Sequence, residues 1–267
     1  MTDSRWHAPA LMRASIALHL LALLALVIVP RWWPWALAAL VANHLLIAAV
    51  GLWPRSHLLG PNWTRLPRAS SARNEFALTI DDGPDPAVTP QVLDLLDRHR
   101  VQATFFCIGE HAARHPQLCR EIVRRGHAVE NHSLRHRHNF SLMGPRALTR
   151  ELQAAQDTLT RICDQRPLFF RAPAGLRNPF LQPVLQRLGL KLASWSVRGF
   201  DTRVDDAQRV QDRLTRGLRA GAIVLLHDGN AARTTQGVPI ILAVLPGVLE
   251  SAAAAGLRPV TLRQALK

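Results

Sequence analysis

Two long apolar runs open the chain. Residues 14–29 are apolar except for Ser15 and His19, and residues 35–53 except for Asn43 and His44. Pro30-Arg31-Trp32-Trp33-Pro34 separates them. Each run approaches the roughly 20 residues that cross a bilayer as a helix. Past residue 75 the pattern changes. Short apolar runs at 76–80, 103–108, 127–131, 168–171, 192–197, 222–226 and 258–261 read as strands. Helix-period stretches lie between them: Val92-Leu93 with Leu95-Leu96, Ile122-Val123, Leu152 with Leu159, Val184-Leu185 with Leu188, and Val210-Leu214-Leu218. Alternation of about seven strands with helices predicts an α/β domain whose parallel sheet closes, or nearly closes, into a barrel.

The first 53 residues read as a membrane hairpin with spans at about 14–30 and 33–53, residues 54–74, with Pro54, Gly60, Pro61 and Pro67, as a linker, and residues 75–267 as the catalytic domain. The first span alone also fits a long signal peptide flanked by Arg5 and Arg13. A second span follows almost at once and no small-residue cleavage site stands out, which favours the hairpin. Six of the seven tryptophans (Trp6, Trp32, Trp33, Trp35, Trp53 and Trp63) fall in this region, most near span ends where indole rings favour headgroups. Arg5 and Arg13 flank one side, and Arg55, Arg65, Arg68 and Arg73 follow the other; only Arg31 marks the tip. That asymmetry predicts a bacterial-type inner membrane protein, multi-pass, with its catalytic domain in the cytoplasm. In an antiparallel hairpin His19 falls at the depth of Asn43-His44, and a hydrogen bond between them is expected.

Net charge is +14. Lys191 and Lys267 are the only lysines, so 31 of the 33 basic residues are arginine, a usage that coding bias produces. No basic run is interleaved with aromatics, which argues against nucleic acid. Attraction to anionic membrane lipids fits better; nothing points to a protein partner. Cys107, Cys119 and Cys163 form no CxxC spacing and read as buried apolar residues.

Polar clusters follow the predicted strands at their carboxyl ends, where barrel active sites are built. Asp81-Asp82-Gly83-Pro84 ends the first. Adjacent carboxylates repel unless a metal takes one, although Asp-Gly-Pro is equally turn chemistry. His132 and His136 follow the third strand and share a face if their segment is helical; His127 and His138 are weaker candidates. One carboxylate and two histidines are a three-ligand set that leaves a metal position open. Arg171-Ala172-Pro173-Ala174-Gly175 ends the fourth strand. Its arginine can orient a carboxylate and its turn can aim a backbone N–H at an oxyanion. Trp195 offers a cleft wall or a core residue. Leu225-Leu226-His227-Asp228 ends the sixth strand, and His227 suits a general acid.

In these motifs and their order, over about residues 75–265, the chain resembles the polysaccharide deacetylase family, the NodB-homology domain of carbohydrate esterase family four. The TFDDGP pattern appears as Thr79 to Pro84, H-[ST]-x-x-H as His132 to His136, R-x-P-x-G as Arg171 to Gly175, and L-x-H as Leu225 to His227. The resemblance implies a distorted (β/α)7 barrel and a metal-dependent hydrolase of carbon–nitrogen bonds. It implies that Asp82, His132 and His136 bind a divalent cation, with Zn2+ the expected ion, and that Asp81 is the base that activates water, oriented by Arg171. The Ala174 N–H, in a turn shaped by Pro173 and Gly175, would hold the oxyanion. His227 would be the acid, tuned by Asp201, with Trp195 and Leu225 against the substrate. The fourth motif departs from the family's D-x-x-D-W: Arg198, Asp201 and Thr202 stand there, and Ala174 replaces a frequent tyrosine.

These departures and the cytoplasmic orientation point away from a cell-wall polymer. They favour an N-acetylated amino sugar carried on polyprenyl phosphate, as in lipid A modification, in similarity to membrane-bound members of the family. Two other readings stand beside it: a periplasm-facing deacetylase of an exported polysaccharide or peptidoglycan, and a catalytically silent metal-holding scaffold.

Overall fold

The computed structural model describes residues 7–267; Arg5 and Trp6, used above, lie outside them. Helices α1 (Ala10–Ile28) and α2 (Trp33–Gly51) are joined by a 3-10 turn at Pro30–Trp32. Leucine and alanine dominate both, and the proline of α2 sits in its first turn, where the missing N–H costs nothing. Both are long and apolar enough to cross a membrane, with Leu20, Leu24, Leu45 and Leu46 facing outwards. The polar side chains of the pair do meet, with different partners from those expected. Asn43 donates to the Ser15 hydroxyl at 2.9 Å, and the His19 and His44 rings meet edge to face at 5.3 Å. Each histidine satisfies Nδ1 on its own helix, at Ser15 and Leu40 carbonyls four residues back, which leaves no need for a bond between the rings.

A short helix α3 (Arg68–Ala72) leads into the sheet. Its strands are β1 (Glu75–Asp81), β2 (Thr104–Cys107), β3 (Ala128–Asn131), β4 (Phe169–Phe170), β5 (Lys191–Leu192), β6 (Val197–Arg198), β7 (Ile223–His227) and β8 (Arg258–Val260). All pair in parallel, in the order β5-β4-β3-β2-β1-β7-β6, with β8 beside the start of β1. The run 192–197, expected as one strand, is split into β5 and β6 by residues 193–196. The sheet curves as a half-barrel whose edges are β5 and β6, so it is nearly closed rather than closed.

The segment read as a linker lies across that opening. Trp63 donates its N–H to the Leu192 carbonyl and accepts from the Ser194 N–H, both at 2.8 Å, and the Leu66 N–H reaches the Gly221 carbonyl at 2.9 Å. The linker is packed against the domain it leads into: Leu59, Asn62 and Leu66 are buried.

Period-two alternation sorts β1 and β7 into two faces. Phe76, Leu78 and Ile80, with Val224 and Leu226, face outwards into one core. That core includes Val92, Leu93 and Leu96 of α4 (Thr89–Arg98). The helices α5 (Gly109–Arg114), α6 (Pro116–Arg124), α7 (Pro145–Cys163), α8 (Leu181–Leu188), α9 (Ala207–Gly217) and α10 (Ile240–Ala254) complete the layer. The last has no amphipathic signal because it is apolar on most sides and carries Pro246 inside. Ala77, Ile223 and Leu225 face inwards with Phe106, Phe169 and Trp195. The same inward parity carries Thr79, Asp81 and His227. Cys107, Cys119 and Cys163 are free and buried, with the sulfurs of Cys119 and Cys163 3.3 Å apart.

Candidate active site and metal centre

Parallel pairing of β1 with β7 sets Asp81 directly beside His227, both at carboxyl ends and on the inner face. Asp82 follows with φ 76°, turning its carboxylate away from the strand. Gly83 is required there: a Cβ would run into the Asp228 carboxylate. Asp228 is buried and accepts from the Thr89 hydroxyl at 2.5 Å; burial pushes its pKa up to about 7.

His132 and His136 lie on a loop rather than on a helix. Ser133 and His136 have φ of 68° and 49°. The Ser133 N–H donates to Asn131 Oδ1, and the His136 N–H to the Ser133 hydroxyl, at 2.8 and 2.9 Å. This pair of side-chain turns, not an i, i+4 helical face, brings the rings together, with centroids 4.8 Å apart.

Asp82, His132 and His136 converge, each offering one ligand atom within 4.8 Å of the others. Asp82 Oδ1 lies 3.1 Å from His132 Nε2 and 3.3 Å from His136 Nε2, yet it is buried without a hydrogen-bond partner. His132 Nδ1 is 2.8 Å from the Arg171 carbonyl, which fixes the proton there and leaves the Nε2 lone pair facing Asp82. Three lone-pair donors with no proton between them suit a divalent cation. Burial opposes ionisation of Asp82, but its imidazole neighbours, His132 foremost and then His227 and His136, outweigh burial and hold its carboxyl well below the usual range.

Arg171, 1% exposed, crosses the floor. Nη1 donates to Asp81 Oδ1 at 2.6 Å and to the Thr79 hydroxyl at 2.9 Å; Nη2 and Nε reach the Ser194 and Ala193 carbonyls at 2.8 and 3.2 Å. Asp81 Oδ2 is left free, 3.9 Å from His132 Nε2. Across the cleft, Asp201 accepts from His227 twice, Oδ1 from Nδ1 at 3.0 Å and Oδ2 from the backbone N–H at 2.7 Å. Burial disfavours the imidazolium, but Asp201, with Asp81 and Asp82, outweighs it and pushes the His227 pKa up to about 9. His227 is therefore an imidazolium at neutral pH, with Nε2–H free to donate.

These groups open into a cleft of about 530 Å³, within the range of small-ligand sites. Asp81, Asp82, His132, His136, His227, Ala174, Gly175, Trp195 and Leu225 line it; Arg171 and Asp201 stand behind. Pro173 is buried and lines no part of the cleft, because the 3-10 turn at Pro173–Gly175 points Ala174 outwards instead. Ala174 has φ 52° and is exposed. Gly175 packs where a Cβ would meet Pro54 and Trp195 at 2.6 Å. His138, a weaker candidate in the sequence, also lines the cleft. His127 does not; its Nδ1 accepts from the Ala103 N–H, and burial lowers its pKa to about 4.

Two polar neighbours were not legible in advance. His111 Nδ1 meets the Asp82 carbonyl at 2.9 Å, and Asn230 donates to Asp82 Oδ2 at 3.3 Å. The only signal was their position just after the second and sixth predicted strands.

A polysaccharide deacetylase family model matches residues 68–193. The chain is 37% identical over 165 residues to a chitooligosaccharide deacetylase of Sinorhizobium fredii, covering 61% of this chain and 76% of that protein. It is 32% identical over 194 residues to a peptidoglycan-N-acetylglucosamine deacetylase of Bacillus cereus, covering 72% and 88%. A solved family 4 carbohydrate esterase from Streptomyces lividans superposes with a TM-score of 0.63 at 30% identity, covering 69% and 91%. With the motifs set on one sheet end and these relatives beside them, the chain belongs to the polysaccharide deacetylase family and is a hydrolase of carbon–nitrogen bonds other than peptide bonds.

Proposed function

We propose that this protein is a metal-dependent N-deacetylase of an N-acetylated hexosamine carried on a polyprenyl phosphate at the bacterial inner membrane, with the catalytic domain facing the cytoplasm. The observation that carries the lipid-linked reading is the seat of the hairpin. The Gly51 carbonyl, at the end of α2, accepts from the Arg177 N–H at 3.1 Å. Three residues on, Pro54 packs against Gly175 in the cleft wall. Three residues span at most about 10 Å, so a bilayer crossed by α2 has its headgroups next to the cleft.

Asp82, His132 and His136 would hold the cation, and zinc is the one their donor set favours. Such a cation supplies Lewis acidity, polarising a carbonyl and making a nearby water easier to deprotonate. Asp81 takes the proton of the attacking water on Oδ2, because Oδ1 is occupied by Arg171. Ala174 lines the cleft, and its backbone N–H is the donor to the developing oxyanion. As the carbon–nitrogen bond breaks, His227 gives its Nε2 proton to the leaving amine, and Asp201 keeps the ring oriented. Trp195 and Leu225 pack against the sugar. The products are the free amino sugar and acetate.

Mass spectrometry of polyprenyl-phosphate N-acetylhexosamine, incubated with the detergent-purified protein, tests this. Loss of one acetyl group is expected with the wild type and not with Asp81→Asn. Turnover of chito-oligomers alone would overturn the lipid-linked substrate. The names of the relatives favour a second reading, a periplasm-facing deacetylase of exported glycan; a compartment-specific reporter fused after Lys267 separates the two.

A further inference from the structure

Every carboxylate at the cleft floor already has an occupation. Asp81 is held by Arg171, Asp201 gives both oxygens to His227, and Asp82 faces the two histidines. Arg198 has none. It ends β6, paired in register with Leu225, two residues before His227 on the neighbouring strand. Its guanidinium lines the cleft, 5.3 Å from the Trp195 ring and 5.1 Å from the Phe200 ring. It makes no hydrogen bond or ion pair among the described residues, and its Nε is buried without a partner. The exposed Arg203 adds a second positive charge at the same cleft.

A partly buried guanidinium without an acceptor is costly to fold around. Two aromatic faces hold its plane, so little further ordering is needed to present its fork to an oxyanion. No carboxylate among the described residues forms an ion pair with it, so an anion borne by the substrate can take that place. We propose that Arg198, assisted by Arg203, binds a phosphate group attached to the substrate sugar and thereby sets specificity at this cleft. This rests on the deacetylase reading above and names the part of the substrate that the catalytic groups do not touch.

The test uses the full chain in detergent with three probes: a neutral octyl N-acetylglucosaminide, the octyl phosphodiester of N-acetylglucosamine, and N-acetylglucosamine 1-phosphate without a chain. A charge-assisted contact implies that the wild type prefers the phosphodiester over the neutral glycoside in kcat/KM by about 10- to 100-fold. Arg198→Ala should collapse that ratio through KM, and Arg198→Lys, which keeps the charge but not the fork, should restore part of it. An unchanged ratio in Arg198→Ala, or equal wild-type turnover of the neutral glycoside, overturns the proposal. If the chain-free phosphate matches the phosphodiester, phosphate recognition stands and a lipid source for it falls. Failure to deacetylate any of the three, with Asp81-dependent turnover of chito-oligomers, would sink both the lipid-linked reading and this one. A wild-type ratio near one, with both glycosides deacetylated, sinks only this one.

Discussion

One residue, Arg171, positions His132 and Asp81 from two ends: its backbone carbonyl takes the His132 Nδ1 proton at 2.8 Å, and its guanidinium holds Asp81 at 2.6 Å. The arginine couples a candidate metal ligand to the proposed base. Its two contacts differ in what a substitution removes. Arg171→Ala keeps the carbonyl and loses the fork.

Arg171→Ala should therefore lower kcat by roughly 10²-fold, as expected for a misplaced catalytic group, while metal content, read by elemental mass spectrometry, falls far less. Stripping a buried charge of its partner should also cost about 3–5 kcal/mol of stability, readable by urea denaturation. Equal loss of metal and of kcat would show that the side chain, not the carbonyl, holds His132.

The His227–Asp201 pair predicts a pH dependence. With a folded pKa of about 9, against an ordinary 6.5, His227 contributes stability fully present below 6.5 and lost as pH rises through 9. As the acid, it sets the basic limb of the kcat/KM profile. Asp201→Asn removes the charge that raises it and leaves burial, which lowers it, so the basic limb should move to lower pH. An unmoved limb in that variant would assign the titration to another group.

Chelation tests the centre. Removing the cation should abolish turnover and lower the melting temperature, because a ligand bound only to the folded state stabilises it. His136→Ala should reduce bound metal to roughly a tenth or less, at least the loss seen when outer-shell partners are removed. Full activity after exhaustive chelation would remove the metal from the reaction.

The three thiols should be inert in the folded protein. Hydrogen bonding among them, with burial, raises Cys119 and Cys163, and Cys107 is raised as well. Titration with a thiol-disulfide reagent is expected to detect essentially no thiol before denaturation and all three after it. Rapid native labelling would mean that the contact between α6 and α7 opens readily.

Much of this was legible because the chemistry sits where strand periodicity ends. Asp81 and His227 each close a short apolar run, and inward parity alone brings them to one face. The spacing of His132 and His136 picked out two side chains that do converge, though not by a helical face: the loop turns rest on Asn131 and Ser133, whose side-chain bonds no periodicity records. Helix α10 escaped because its outward side carries mostly alanine and proline rather than charge, so no polar face sets off the buried one. The split between β5 and β6 escaped because residues 192–197 alternate apolar and small polar side chains as one strand would, while their backbone changes partner from Phe170 of β4 to Trp63 and then to Ile223 of β7. Residues 54–74 show the limit most clearly: Pro and Gly signalled irregular backbone, and irregular backbone proved to be packed.

The bonds of Trp63 across the open side of the half-barrel govern how this protein can be cut. A fragment begun at Glu75 keeps every residue proposed to act in the cleft but loses the segment that occupies Leu192 and Ser194. Those backbone groups would then form a bare sheet edge beside the apolar residues Leu66 now covers, and bare edges recruit other chains. Such a fragment is expected to self-associate, whereas one begun at Pro54 retains its own edge protection.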